Sequence, residues 1–530
     1  MNRILKNTAT VGAFTALSRV LGLVREMLQS RFIGAGVEQS AFTLAFAIPN
    51  MARKLFGEGA LTAAFVPVFK GEVEANAMES ARHLARAVLT MMLMMVGSVV
   101  VLALLGLEVA VHFRAGLELS GRTLLTVRLV KTLLPYMIFI CGAALGMGVL
   151  NAMGRFKASS AMPCLLNVFW IGILVWICFH PELRLDQRIH RVCMAILVAG
   201  AAQMAFMLWR MRKAGVSPKL SFRGWKDPKV CLVWKNTAIA AIGAGAVQIN
   251  YMLDQVLGQV AAPWAAGVIG YAERLMDLPL GVIGVSFGTV LLPAFAGHFS
   301  KGDVDGARAA FISSTRQMLF VMIPAAVGLG VLAADVTTVI YRGGAFDATA
   351  VVRVSRAVAV YAMGLGFFGL QKSLVPWFQA QNDMKTPLRT SVWTVCLNAS
   401  LNIVAVLCLP VEWRHVGLAA STVLCAAFGC AMLVAAAHRR NGSLGLCRLA
   451  SPTLRMLAGS AIMAGSLVAV KAYVRMPPVL SLSVLLAVGA GTYFAAMAAM
   501  GMRWRRKAGI ASVAVKAKAD SCGEQKRNGL

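Results

Sequence analysis

The sequence predicts an all-α polytopic membrane protein of about fourteen transmembrane helices, built as two six-helix lobes from an internal repeat plus two extra C-terminal helices. Three observations predict it. Hydrophobic residues fill 58% of the 530 positions and charged residues only 14%, with a mean hydropathy of +0.72, against about 25% charged in an average soluble chain. Apolar segments of the roughly 20 residues that a bilayer crossing requires recur along the whole chain. Short motifs of the first half return in order in the second.

In chain order the apolar segments run over 9–34, 40–66, 84–112, 124–151, 158–180, 190–210, 232–261, 266–295, 308–341, 353–379, 387–410, 414–438, 453–474 and 478–502. The first is interrupted by arginines and lacks a small-residue cleavage site, so it is expected to stay as a span rather than leave as a signal peptide. Lys and Arg number roughly 31 on the side of the termini and even-numbered loops against about 12 in the odd-numbered loops, which predicts both termini in the cytoplasm. The heaviest basic clusters, Arg210 to Lys235 and Arg503 to Arg527, read as topology signals in contact with anionic membrane lipids. A net charge of +30 would suggest nucleic acid in a soluble domain. Here the basic residues lie between apolar segments, and no nucleic-acid partner is expected.

The 11 cysteines are scattered, mostly in apolar segments, with no CxxC pair and no metal-site spacing with His, and read as packing residues. Walker A, HExxH and GxSxG patterns are missing from the sequence, so neither ATP-driven nor hydrolytic chemistry is indicated and no cofactor is expected. The chain reads as a transporter, not an enzyme.

The repeat fixes the expected organisation. Ala45 to Pro67 matches Tyr271 to Pro293 in length and in its ending, AAFVP against TVLLP. Ala81-Arg82 matches Ala307-Arg308 at the same offset, VHFRAG at Val111 to Gly116 matches VIYRGG at Val339 to Gly344, and Ala152 with Lys157 matches Ala380 with Lys385. The expected divisions are an N-terminal lobe 1–215, a C-terminal lobe 216–445, spans 13 and 14 within 446–505, and a basic cytoplasmic tail 506–530. Pro and Gly punctuate the spans, as at Pro49, Pro135, Pro279 and Pro324, where helices are expected to break or bend.

Charges inside apolar segments mark candidate sites, because a charge near a bilayer centre costs roughly 2.5–3.5 kcal/mol on insertion scales. At 100° per residue Ser18, Arg19, Arg25 and Glu26 fit an arc of about 120°. A substrate site, a structural ion-pair network and snorkelling to headgroups compete for Arg19, Arg25 and Arg53. Lys54 and Glu58, four residues apart, are spaced for an intrahelical ion pair. In the second copy, YAERLMDLP places Glu273, Arg274 and Asp277 near the start of span 8, where Arg274 serves either an anion or a pair with Asp277. A second polar set, Asp254, Asn398, Asn402, Ser421 and Thr422, offers the oxygen ligands of a hard cation. Asn and Thr also serve as interhelical hydrogen-bond partners.

SRVLGLVRE, RFIGAG, IPNMARKLFGEGALTAAFVPVF, YAERLMDLPLGVIGVSFGTVLLP and QNDMKTPLRTS resemble the signature segments of the MurJ/MviN lipid II flippases, of the multidrug/oligosaccharidyl-lipid/polysaccharide exporter superfamily. The likeness runs over about 1–510. It implies a fourteen-helix fold with a cationic cavity, an apolar groove for the lipid tail formed by spans 13 and 14, and a place in the bacterial inner membrane. The implied substrate and partner is lipid II, the undecaprenyl-pyrophosphate-linked disaccharide pentapeptide, carried from the inner to the outer leaflet for peptidoglycan synthesis by a protein expected to work as a monomer. Carried over by motif, the cavity residues are Arg19, Arg25, Arg53 and Arg274, with Ser18, Glu26 and Glu58 beside them. The family's cation site maps onto Asp254, Asn398, Asn402 and Thr422, with Na+ or H+ as coupling ion. Glu26 stands where the family often has Asp, Ser40 where many members have Asp, and Asn402 at a position that is acidic in some. Two alternative transporters remain: a cation-coupled multidrug exporter, whose mostly cationic substrates four arginines would repel, and a translocase for another prenyl-linked glycan. A non-transporting scaffold would leave the buried arginines unexplained.

Overall fold

The computed structural model describes residues 2–57, 60–75, 77–113, 120–222, 224–225, 227–473 and 476–502. Among them regular structure is helical throughout, apart from one isolated bridge between Gly343 and Phe346. Each of the fourteen predicted segments coincides with one helix or with consecutive helices. The first lobe's segments are α1 (Asn2–Ile33), α2 and α3 (Val37–Ala52, Ala60–Glu74), α4 (Met78–Phe113), α5 and α6 (Gly121–Leu133, Tyr136–Ala152), α7 (Phe156–Cys178) and α8 (Leu185–Lys213). Then follow α9 (Pro228–Ala261), α10 (Ala265–Phe299), α11 and α12 (Val304–Val331, Ala333–Tyr341), α13 (Ala348–Gln379), α14 (Lys385–Cys408) and α15 (Val411–Asn441). The two additional helices are α16 (Cys447–Tyr473) and α17 (Pro478–Ala499). The predicted tail 506–530 lies outside the described residues.

Breaks fall where the backbone chemistry requires them. Pro135 has no N–H to continue the ladder, and the fourth segment divides at Leu134–Pro135. Pro49 removes a donor inside α2, which then passes into a π-helical turn at Arg53–Gly57. Such turns are uncommon and concentrate at functional sites.

Ten segments are long and apolar enough to cross a membrane by length and composition. The first, second, seventh and eighth predicted spans carry Arg19, Arg25, Arg53, Asp254 and Arg274.

The chain divides into two compact units, one of Met1–Val268 with Tyr341–Ala350 and one of Ile269–Ile340 with Val351–Leu530. In the first, α1 packs on α7, α6 and α7 on α8, and α2 on α5. Helix α9, placed by the sequence repeat at the head of the C-terminal lobe, packs on α3 and α2 and so falls in the first unit by contacts. The core there centres on Trp170, whose ring meets Phe42 at 5.5 Å and Phe46 at 5.4 Å, both edge-on. In the second unit α14 packs on α15, α11 on α16 and α16 on α17. Its aromatic centre is Trp377, ringed by Phe295, Phe299 and Phe311 at 5.0–5.7 Å.

The repeat recurs as hydrogen-bond geometry. Arg82 Nε donates to the Gly215 carbonyl at 2.7 Å, and Arg308 Nη2 donates to the Asn441 carbonyl at 3.0 Å. Both pairs share one sequence offset. At the ends of α6 and α13 the same turn closes twice: Arg155 N–H to Leu150 O at 2.8 Å with Gly154 at φ 72°, and Asp383 N–H to Phe378 O at 3.0 Å with Asn382 at φ 57°. Gly and Asn are the two residues that take this left-handed position most readily. The first-copy motif around Arg114 to Gly116 lies largely outside the described residues.

Candidate functional site

Helix α1 is held against α7 by one polar cluster. Arg25 pairs with Glu26, its Nη1 donates to Asn167 Oδ1 at 3.0 Å, and its guanidinium carbon lies 4.4 Å from the centroid of the Trp170 ring. Asn167 Nδ2 in turn donates to the Ser18 carbonyl at 3.1 Å. Both partners of the Arg25–Glu26 pair are mostly buried, with side-chain exposures of 17% and 10%. In such surroundings an ion pair holds only when its remaining donors and acceptors are also met. One donor stays open: the buried Arg25 Nε has no acceptor among the described residues.

The network continues away from Arg25. Trp170 Nε1 donates to Gln29 Oε1 at 3.1 Å, Gln29 Nε2 to Gln39 Oε1 at 3.0 Å, and Gln39 Nε2 to Thr43 Oγ1 at 3.3 Å. A chain of satisfied amides inside an apolar core fixes orientation more than it adds stability. At its far end Ser40 uses its hydroxyl to accept the Gly267 N–H at 2.9 Å. A Cβ on Gly267 would lie 3.2 Å from the Ser40 backbone nitrogen. Here the short hydroxyl serves close helix packing.

Arg53 opens the π-helical turn. Its Nε and Nη2 both reach Asn50 Oδ1 at 3.1 Å. Arg53 and Arg25 lie within electrostatic reach of each other and of the buried Tyr136. Arg25 is paired with Glu26 and Arg53 is held by Asn50, and planar guanidinium forks of this kind suit phosphate oxygens bidentately.

The remaining candidates are distributed as follows. Arg19 is exposed on α1. The expected pair of Lys54 with Glu58 falls on a residue outside the described ones, and the Lys54 ammonium stands 5.2 Å from the Tyr251 ring centroid on α9. Arg274, half-buried on α10, belongs with Glu273 and Asp277 to the second unit. Asp254 is 4% exposed and accepts from Asn250 Nδ2 at 3.4 Å. Asn398 and Asn402 are fully buried on α14, and the Thr422 hydroxyl donates to the Leu418 carbonyl at 3.1 Å. Asp254 is part of the first unit and the other three of the second. Carboxylate, amide and hydroxyl oxygens match a hard monovalent cation in type.

Asn167, Trp170 and Asn50 were not among the residues that the sequence singled out. A lone Asn in an otherwise apolar fifth span was the available signal.

Comparison with known proteins agrees with this architecture. The family described as "Lipid II flippase MurJ" matches residues 29–489. A "Probable lipid II flippase MurJ" from Rhizobium tropici is 33% identical over 468 residues, covering 88% of this chain and 86% of that protein. Another from Vibrio cholerae is 32% identical over 478 residues, covering 88% and 89%. Among solved structures, "Lipid II flippase MurJ, inward closed conformation" superposes with a TM-score of 0.75 at 20% identity, over 92% of this chain and 98% of that one. A multidrug resistance MATE family transporter of the MOP superfamily, inward-facing, gives 0.67 at 13% identity over 81% and 95%, a likeness of fold alone. The chain therefore belongs to the lipid II flippase MurJ family.

Proposed function

We infer that this multi-pass membrane protein translocates lipid II from the cytoplasmic to the periplasmic leaflet of the bacterial inner membrane. It is a transporter and breaks no bond of its substrate. The reading rests on family membership over most of the chain, and the observation that carries it physically is the Arg25 cluster. A guanidinium with a buried, open Nε–H, held by Glu26, Asn167 and Trp170, is a prepared hydrogen-bond donor to a pyrophosphate.

Arg19, Ser18, Glu26 and Glu58 are proposed to complete the headgroup site on the first unit's helices, and Arg274 is proposed as a substrate-binding residue of the second repeat. The polar headgroup alone needs shielding as it crosses, while the prenyl chain stays in an apolar groove at spans 13 and 14. Access alternates between the two faces, with both termini cytoplasmic and a monomer as the working unit. Coupling is assigned to the membrane potential or to a cation gradient, Na+ or H+, with Asp254 as the carboxylate that senses the ion. A drug exporter of the same superfamily is disfavoured by the same positive charge, which repels cationic compounds.

Complementation of flippase-depleted cells, with leaflet-specific detection of lipid II, tests the reading. Growth with lipid II appearing in the outer leaflet is the expected result. Failure to complement at normal expression would turn the assignment toward another prenyl-linked glycan.

A further inference from the structure

The connection between α8 and α9, residues 214–227, has two unlike sides. Its inner side is locked to α4. Arg82 Nε reaches the Gly215 carbonyl at 2.7 Å, Arg86 Nε the Ser217 carbonyl at 3.1 Å, and Ser221 N–H reaches Thr90 Oγ1 at 2.8 Å. Val216 is fully buried, and a Cβ on Gly224 would stand 2.3 Å from that of Ala87. The outer side carries Leu220, Phe222 and Trp225, which are 58%, 65% and 51% exposed. Five backbone and side-chain attachments thus hold three large apolar groups outward.

The charges around them have one sign. Arg212, Lys213 and Lys219 are exposed, and the Lys213 ammonium lies 4.0 Å from the Trp209 ring centroid at the end of α8. The acidic residue of the connection, Asp227, is occupied: it receives the Lys229 N–H at 2.8 Å and faces His83 at 3.4 Å. The second repeat shows that so long a connection is not needed to close the turn. There Arg308 makes the matching bond to Asn441, and α16 begins at Cys447.

We propose that residues 214–227 form a docking platform for an anionic lipid leaflet, with Leu220, Phe222 and Trp225 seated among the headgroups and Arg212, Lys213 and Lys219 bound to lipid phosphates. Lipid is the occupant because the connection joins two predicted spans and therefore ends at headgroup depth. Trp and large apolar side chains ringed by Lys and Arg are the composition of that layer. The anionic character follows from the unopposed basic charge. An exposed apolar patch of this size marks an interaction surface in general, and the charge selects among them. The proposal goes beyond the transport reading and does not require it.

The test uses the full chain in nanodiscs, which expose both bilayer faces, so the result is independent of topology and of flipping. With the native cysteines replaced, an environment-sensitive fluorophore is placed at Phe222→Cys, separately at Trp225→Cys, and at Lys301→Cys as an exposed reference. In phosphatidylglycerol-containing discs both loop labels should shift to the blue, be quenched by lipids brominated near the headgroup, and resist aqueous iodide several-fold better than the reference. Pure phosphatidylcholine discs, or the R212Q/K213Q/K219Q variant in anionic discs, should restore iodide quenching. Iodide quenching equal to the reference in anionic discs overturns the proposal, as does protection that arises only on adding cytosolic protein. Labels at two positions keep the test open should one variant fail to fold.

Discussion

The Arg25 guanidinium stacks on the Trp170 ring at 4.4 Å while its Nη1 bonds Asn167 Oδ1 at 3.0 Å, so helix α7 sets the direction in which α1 presents its charge. Asn167→Ala removes one charged hydrogen bond, of about 1.5–3 kcal/mol, together with the Nδ2 bond to the Ser18 carbonyl, without opening a large void. Flipping is expected to fall roughly tenfold or more with the melting temperature shifted by only a few degrees. Wild-type flipping by Asn167→Ala would remove α7 from the site. Trp170→Ala should behave differently, because the ring is the centre of the first unit's aromatic core and large-to-small changes there cost about 3–5 kcal/mol. It should lower expression and stability first.

That contrast explains how much could be read from the sequence. The long helices were legible because a bilayer crossing requires a long apolar run, a test that ten of them meet among the described residues, and the break at Leu134–Pro135 because proline cannot donate. The paired turns at Gly154 and Asn382 were signalled by the Ala152/Lys157 and Ala380/Lys385 match. Asn167 and Trp170 were not legible, since their partners are about 140 residues away in sequence and an Asn or Trp in a span has several uses. The packing of α9 with the first unit was hidden for a similar reason. A repeat shows which elements are equivalent and leaves open which ones touch.

The Lys/Arg asymmetry predicts one orientation. Cysteines introduced at Lys301 and Ser443, both exposed, should react only with reagents that reach the cytoplasm, and one at Glu182 only with impermeant reagent from the periplasm. A periplasmic signal at Ser443 would break the fourteen-span order.

Asp254 is buried beside Asn250 on a helix in contact with α2 and α3. Asp254→Asn keeps the shape and removes the charge. Transport by the variant in proteoliposomes should lose its dependence on an imposed Na+ or H+ gradient while lipid II binding stays within a few-fold of wild type. Gradient dependence that survives unchanged would assign Asp254 to packing.

Asp383 joins three helices outside the spans. It accepts Thr386 N–H at 3.0 Å and Thr386 Oγ1 at 2.7 Å at the start of α14, and Arg440 Nη1 at 2.7 Å from the end of α15. Burial alone would raise its carboxyl, but the bonds from Thr386 and the charge of Arg440 outweigh it and hold it below the ordinary 3.8. A depressed folded value contributes stability that is complete above the unfolded value and disappears as pH falls through the folded one. Asp383→Asn should therefore lower the melting temperature at pH 7, and the gap to wild type should close only when the pH falls through and below 3.8. A gap that is constant down to the most acid pH would mean that the carboxylate charge plays no part.

The arginines themselves give the sharpest division. Arg25 is anchored by Glu26, Asn167 and Trp170, and Arg53 by Asn50, whereas Arg19 is exposed. If all serve a pyrophosphate, alanine at Arg19, Arg25, Arg53 or Arg274 should abolish flipping in protein that still inserts and folds. Lysine separates charge from shape. It restores the charge but not the planar fork that grips Asn167 or Asn50 while offering further N–H groups to phosphate. Arg25→Lys should therefore fail, losing a charged hydrogen bond of about 1.5–3 kcal/mol together with the stacking on Trp170, whereas exposed Arg19 should tolerate lysine better. Melting temperature measured beside flipping for each variant decides between site and scaffold. Arg25→Ala leaves Glu26 buried without its partner, so some loss of stability is expected there. Arg25→Ala combined with Glu26→Gln removes that charge and should recover stability without recovering flipping. Flipping that returns with stability in the double variant would make the pair structural and move the pyrophosphate site elsewhere.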